Sequence, residues 1–442
     1  IFVGPNASGK STIVHSIYWF YLKALENPNL TNEISSVERE LLNVSSYDDL
    51  ASGRDLKRVW MGVDLELNIS KIGKEFKSRA KAIKWSELGL KEPKLQRLSL
   101  GFRVHRNVRG ELDYEYRIIL DSLSIIIKSW YDSREKEYKW TLSGAFDAKG
   151  RSYLSYSLLG SLYLHSRVSE YERYIGKERL ELLKERRSDE LQNVDKFLGD
   201  LLKSVRDEIL KNNFFILTPL RGSVPLDAEV KIASDVSPFG RGILQALAHA
   251  FIYYDPKVRH ELASTLASWA ERFGVRDLTA GVDKDGRVRA TFEDLKARID
   301  LAMGSHGQRQ LLTLLTQLIV APPHSLVMIE EPEISLHPKA QALLPLLFAD
   351  VIRKHEKQVI VTTHSSILVL ALSDAVMGSD EYPSVPKLSV DDIAVYHVIR
   401  DEEGYTRVEP LELTKEGFVK GGIPSFVDVE AKLYGKILSR LS

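Results

Sequence analysis

Cysteine is absent from all 442 residues. That excludes disulfides, thiolate metal sites and cysteine nucleophiles, and it suits a reducing, cytoplasmic setting. An excess of either charge is also missing, because 61 Lys and Arg balance 61 Asp and Glu. The balance excludes a chain-wide basic surface of the kind many nucleic-acid binders carry, but not a local basic groove. Long apolar runs are missing too, so no membrane span and no membrane partner are expected. The longest candidate, Leu311 to Val320, is interrupted by Thr313, Thr316 and Gln317. What is present is 44% hydrophobic and 28% charged. That composition belongs to a globular chain of roughly two to four domains, or one large composite one.

The first stretch to carry chemistry is "GPNASGKST", residues 4–12. Gly4, Gly9, Lys10 and Ser11 stand at the spacing of a phosphate-binding loop. Glycines at those points let the backbone wrap closely around phosphates with its N–H groups turned inward. A helix starting at Lys10 aims its positive end at the same anions. Lys10 would reach the outer phosphates and the Ser11 hydroxyl would ligate magnesium. The candidate nucleotide contacts are Gly4, Asn6, Ala7, Ser8, Gly9, Lys10, Ser11 and Thr12. The flanks agree: Ile1-Phe2-Val3 reads as the end of a buried strand, and "STIVHSIYWFYLKAL" reads as a helix.

Three later stretches each have a plain reading when taken alone. Leu326 to Ile329 is an apolar run that ends in Glu330-Glu331. A buried parallel strand reads so, and ligands bind beyond the carboxyl ends of such strands. There Glu330 would hold magnesium and Glu331 would polarise the attacking water; a solvated acidic turn closed by Pro332 is the alternative. Val359 to Val361 forms a second such run, followed by His364. A histidine there contacts the γ-phosphate or holds the water, or else it caps the next segment. Ser305, Gly307 and Gln308 open a strongly apolar helix, as an anion site or as an ordinary N-cap.

Their order is more informative than any one of them. Phosphate loop, long intervening region, S-x-G-Q helix, hydrophobic-Glu-Glu strand and strand-His follow one another along the chain. In this the chain resembles the ABC-type ATPase heads of the SMC and RecF-like group, and most of all the compact AAA-family ATPases and the ATPase part of OLD-family proteins. The resemblance covers about residues 1–25 and 300–370. "GPNASGKS" is similar to the first nucleotide motif, "GSHGQ" to the signature, "MIEEPEISLHP" to the second motif and its loop, and "VTTHSS" to the switch histidine. Two departures stand out. The magnesium-side acid is Glu330 where the wider superfamily has Asp, and Ser335-Leu336-His337 lacks the aspartate of transporter ATPases.

The resemblance implies a mixed α/β P-loop NTPase fold of ABC/SMC-head type, with an antiparallel β subdomain and a helical insertion. It implies ATP and Mg2+ as ligands, with Glu331 and His364 catalytic. In the family two heads sandwich two ATP molecules, with the loop of one chain facing the signature of the other. One copy of each motif here implies a homodimer with ATP at its interface. The family also places one or two strands ahead of the phosphate loop. Their lack before Ile1 suggests a core strand cut short.

Three lobes are expected. Residues 1–165 form the first, since Val63 to Ile69, Leu98 to Arg106 and Tyr114 to Trp130 alternate or run apolar as strands do. Residues 166–212 form a charge-rich helical arm or packed lid. Leu191, Val194, Leu198, Leu201 and Val205 mark about two heptads there, too few for a coiled coil. Residues 213–442 form the last lobe, with hairpins around Asp285-Gly286 and Glu403-Gly404. Arg221 faces a phosphate, a partner or an internal salt bridge. Three functions stay open: an ATPase switch on a partner, an ATP-gated DNA binder in repair or defence, and the head of a separately encoded nuclease effector.

Overall fold

The computed structural model describes residues 1–21, 61–88, 91–106, 112–121, 123–132, 137–144, 148–152, 188–205, 207, 214–231, 236–253, 256–294, 296–427 and 432. The chain forms two compact units. One comprises 1–14 with 212–442, the other 15–211. It opens with β1 (Phe2–Val3), the loop, and α1 (Lys10–Tyr21).

The second unit is built on a six-stranded antiparallel meander. Its strands are β2 (Met61–Asn68), β3 (Arg97–Arg106), β4 (Leu112–Leu120), β5 (Leu123–Asp132), β6 (Glu137–Gly144) and β7 (Ala148–Ser152). Alternation sets its two faces. Leu98, Leu100, Phe102 and Val104 of β3 are buried beside Tyr114, Ile118 and Leu120 of β4. The other face carries Asp64, Arg103, Glu115 and Arg117, joined as Arg103–Asp64 and Arg117–Glu115 pairs. The apolar stretch read as strand from Tyr114 to Trp130 is two strands, β4 and β5, reversing at Asp121 with φ of +53°.

Two helices accompany this sheet, α2 (Ser70–Ala82) and α3 (Ser188–Val205). Phe197 of α3 meets Phe76 of α2 edge-on at 6.1 Å and Trp85 at 5.8 Å. Leu198, Leu201 and Val205, three of the heptad positions, are buried with it. The described part of the 166–212 insertion is therefore a packed helix; residues 153–187 lie outside the described residues.

The first unit is a central sheet with flanking helices and a small antiparallel sheet. Its elements are β8 (Phe214–Leu217), β9 (Ala228–Glu229), α4 (Ile243–Ala248), α5 (Pro256–Arg272), β10 (Arg276–Val282), β11 (Arg287–Asp294), β12 (Ala297–Asp300), α6 (His306–Val320), β13 (Leu326–Glu330), α7 (Pro338–His355), β14 (Gln358–Thr363), α8 (Ser366–Leu370), α9 (Leu372–Met377), β15 (Val395–Arg400) and β16 (Thr406–Leu411). The central order is β16-β15-β1-β14-β13-β8, parallel throughout except β16. Both expected hairpins form, with Gly286 and Gly404 left-handed at their turns.

β1 pairs with β14 and β15 from the far end of the sequence. The glycine-bearing loop after β1 therefore groups with residues 212–442, and the boundary expected at 165 divides the chain differently from its compact units. The reason is that a two-residue strand has no stability outside the sheet that hydrogen-bonds it.

Helix α6 is the centre of the core. Every residue from Gln310 to Val320 is buried. The polar residues that interrupt its apolar run bond within the protein, except that Gln317 Nε2 has no partner among the described residues. Thr313 and Thr316 donate to the carbonyls of Arg309 and Leu312, and Gln317 Oε1 accepts from the Val236 amide. The run is thus a core helix, and among the described residues no helix is long and apolar enough to cross a membrane.

At the C-terminal end of α6, Lys357 buries its ammonium and donates to the carbonyls of Leu318 and Ile319. The carbonyls favour the charged form, but burial pushes the group down to about 7. An unfolded lysine keeps its proton to about 10.4. Between those values the unfolded chain binds more protons, so stability rises with pH. Urea midpoints measured from pH 7 to 9.5 should climb in the native chain and climb less in Lys357→Met. Equal slopes in the two would remove this account.

Candidate nucleotide site at the ends of three parallel strands

The register of the central sheet brings distant residues to one edge. Phe2 and Val3 stand beside Thr362 and Thr363, and Glu330 stands beside Thr362. The chain segments that leave β1, β13 and β14 therefore emerge together at their carboxyl ends, where α/β sheets bind ligands.

The loop after β1 is shaped by the β15–β16 hairpin. A Cβ at Gly4 would lie 2.1 Å from the Val398 carbonyl oxygen, and one at Gly9 would lie 2.2 Å from Thr406 Oγ1. Gly9 also has φ of +102°, and Ala7 is left-handed at +59°. Thr406 Oγ1 donates to the Ser8 carbonyl at 2.9 Å. The glycines thus serve close backbone packing as well as the curl of the loop. The sequence reading had no means of naming Thr406 and Val398, which reach the loop only through tertiary folding.

Lys10 is buried and donates from Nζ to the carbonyls of Gly4 at 3.0 Å and Pro5 at 2.8 Å. Burial lowers its pKa, and the nearby charges of Glu331 and Glu333 oppose that. Ser8 Oγ is buried with no partner among the described residues. A loop with no room for a Cβ at Gly4 or Gly9, with a buried hydroxyl to satisfy and an ammonium curled over it, fits a polyphosphate. Asn6, Ser11 and Thr12 are exposed on the same loop and helix start.

The acidic segment after β13 makes the opposite wall. Glu330 is buried. Glu331 adopts a left-handed conformation, φ +45°, that costs a glutamate about 1 kcal/mol or more. Its amide donates to the Thr362 carbonyl at 2.8 Å, which fixes the turn. Its Oε1 lies 3.5 Å from His364 Nε2. Glu333, which the sequence reading did not single out, is only 9% exposed. Its Oε1 accepts from Thr363 Oγ1 and from the His364 amide, each at 2.7 Å. The signal for it was the third carboxylate of Glu330-Glu331-Pro332-Glu333, two positions beyond Glu331.

His364 is held below the ordinary histidine range. Burial is the main cause and the Lys10 charge adds to it; Glu331, Glu333 and the Gly4 backbone pull the other way. The ring is neutral at neutral pH and can both donate and accept. It does not cap the next helix: Ser365 does, accepting from the Leu368 amide.

The sequence points to Ser11 and Glu330 as the holders of magnesium. Among the described residues no group of three or more His, Cys, Asp or Glu is placed to hold a metal. A hydroxyl and one carboxylate are hard oxygen donors, which suit an ion that keeps waters and shares phosphate oxygens.

Ser305, Gly307 and Gln308 form the first turn of α6. Ser305 Oγ accepts from the Gln308 amide at 3.2 Å, and Gln308 Oε1 accepts from the Ser305 amide at 2.8 Å, a reciprocal capping box. A Cβ on Gly307 would lie 2.6 Å from the Ser335 carbonyl oxygen, so this turn lies against the loop that follows Glu333. His337 caps α7 by accepting from the Lys339 amide. Arg221 is fully buried and donates to backbone carbonyls, including those of Glu330 and Pro332.

The chain matches the AAA ATPase domain model over residues 1–369. No curated protein matches it. Among solved structures it is similar to the Smc head domain with an extended coiled coil, bound to the C-terminal domain of ScpA, derived from Pyrococcus furiosus. That likeness has 13% identity and a TM-score of 0.41 and covers 99% of this chain and 92% of the other. It is also similar to the SMC head domain from Thermotoga maritima, at 12% identity and a TM-score of 0.31, covering 93% of this chain and 89% of the other. With its mixed α/β sheet and P-loop NTPase architecture, the chain belongs to the AAA ATPase domain family, a family of ATP-hydrolysing enzymes.

Proposed function

We propose that this chain is an ATP-driven switch of the compact, OLD-like branch, in which two heads close on ATP and act on a DNA or protein partner in repair or defence. One observation carries the reading: Lys10, Glu331, Glu333 and His364 converge at the ends of β1, β13 and β14.

In this reading the ATP phosphates lie on the loop from Gly4 to Thr12, with Lys10 leaving its backbone carbonyls for the outer phosphates. Ser11 and Glu330 hold magnesium, which neutralises charge on the phosphates when bound. Glu331 takes a proton from the attacking water. His364, neutral and 3.5 Å from Glu331, holds that water or contacts the γ-phosphate. Glu333 fixes His364 by accepting from its amide.

The signature turn serves a second copy. Ser305, Gly307 and Gln308 offer a helix N-terminus to the other head's ATP. Close to that turn in sequence or in space, large apolar side chains are exposed: Met303 is 71% exposed and Leu220 70%. Leu220 sits on the turn whose Pro219 carbonyl accepts from Gln310 of α6. Apolar area left uncovered there suits closure of two heads. ATP then favours the closed pair and hydrolysis releases it.

Lys10→Ala should abolish ATP binding by calorimetry, and unchanged affinity would sink the loop assignment. Glu331→Gln should bind ATP, lose about two to three orders of magnitude in hydrolysis and accumulate a dimer by light scattering. Normal turnover would refute the base. For the DNA partner, the trapped dimer should bind duplex only with ATP and lose it with rising salt. ATP-independent binding, or none, would count against DNA.

A further inference from the structure

The glutamate-bearing loop rests on a buried cation that the scheme above leaves unused. Arg221 Nη1 donates to the carbonyls of Thr218 at 3.1 Å and Glu330 at 2.9 Å. Its Nη2 donates to the carbonyls of Glu331 at 3.3 Å and Pro332 at 3.1 Å. One guanidinium therefore gathers three consecutive carbonyls of the segment that carries Glu331. In an extended strand, successive peptide groups alternate in direction. Converging on one donor requires the chain to leave that conformation, and it does so at Glu331, where φ is +45°.

The electrostatics match the geometry. Burial pushes Arg221 down to about 10, so it stays charged at neutral pH, with Glu333, Glu331 and Glu330 as its nearest opposing charges. A planar fork suits several acceptors at once in a way a lysine ammonium does not. The arginine is itself boxed in. Gln310 Nε2 donates to the Pro219 carbonyl at 3.0 Å, and a Cβ on Gly240 would lie 1.9 Å from the Arg221 carbonyl oxygen.

We propose that Arg221 is a positioning residue for hydrolysis, a clamp that holds the backbone of residues 330–332 in the one shape that aims the Glu331 carboxylate at water. Its Nη atoms are spent on backbone carbonyls; it acts through Glu331, and so the proposal rests on the reading of Glu331 as the base.

The test compares steady-state ATPase and ATP affinity in the full chain. Arg221→Lys should lower kcat about ten- to hundredfold, the cost of a small misplacement at a reacting centre. Its ATP affinity should stay within about threefold, because uniform binding is untouched. In a Glu331→Gln background the same change should cost less than about threefold, because residues acting as a unit are not additive. An equal loss in both backgrounds, or wild-type turnover by Arg221→Lys, overturns the clamp and leaves the base assignment standing. Wild-type turnover by Glu331→Gln overturns the base and the clamp with it. If Arg221→Lys does not fold, Gln310→Met decides, since it loosens the arginine's turn without removing the arginine. A severalfold fall in kcat at unchanged ATP affinity supports the clamp, and unchanged kcat overturns it.

Discussion

The pairing of β1 between β14 and β15 is the constraint on which the candidate site depends. Two residues, Phe2 and Val3, place the candidate nucleotide loop beside Thr362, Thr363, Tyr396 and His397. Stacking of Phe2 on Tyr396, at 5.4 Å between ring centroids, adds side-chain contact to a very short ladder. Because the strands run parallel, their carboxyl ends coincide. The loop, the acidic segment and the histidine therefore meet at one edge, although the loop lies more than three hundred residues from the other two.

That meeting has an electrostatic cost, which the structure offsets locally. Glu330, Glu331 and Glu333 stand close together, two of them buried. Desolvated carboxylates are unfavourable unless paired or hydrogen-bonded. Lys10 on one side and Arg221 on the other supply the opposing charge. Glu333 is further satisfied by Thr363 and the His364 amide. The left-handed Glu331 stores strain in the segment that would carry the chemistry, held by the Thr362 carbonyl behind it and the arginine beneath it.

Much of the fold was legible in the residues. The strands of the meander follow from period-two alternation, and β13 and β14 from short apolar runs closed by polar residues. Gly286 and Gly404 mark hairpins because their turns need left-handed backbone. Within the site, the loop glycines, Lys10, Glu331 and His364 were readable because each sits at the boundary of an element that its own sequence declares. Glu333, Arg221 and Thr406 were not. Their partners lie 31, 110 and 398 residues away for His364, Glu331 and Ser8 respectively. No local period or spacing encodes such a contact. The lobe boundary expected at 165 differs from the compact units for a related reason: nothing near β1 announces that it is completed by strands from the other end of the chain.

The sequence by itself determined the inventory. It named the candidate loop, carboxylates and histidine and the element under each, because these depend on neighbours a few residues apart. It also marked α6 as a strongly apolar helix and not a membrane span, since Thr313, Thr316 and Gln317 interrupt its run. The tertiary structure alone decided which of these meet, which glycines are sterically required, and which charge stands against which. Loop closure over hundreds of residues is specified by the packing of whole sheets. Arg221 shows the difference: the sequence left it facing phosphate, partner or salt bridge, and burial beneath three backbone carbonyls made it part of the scaffold.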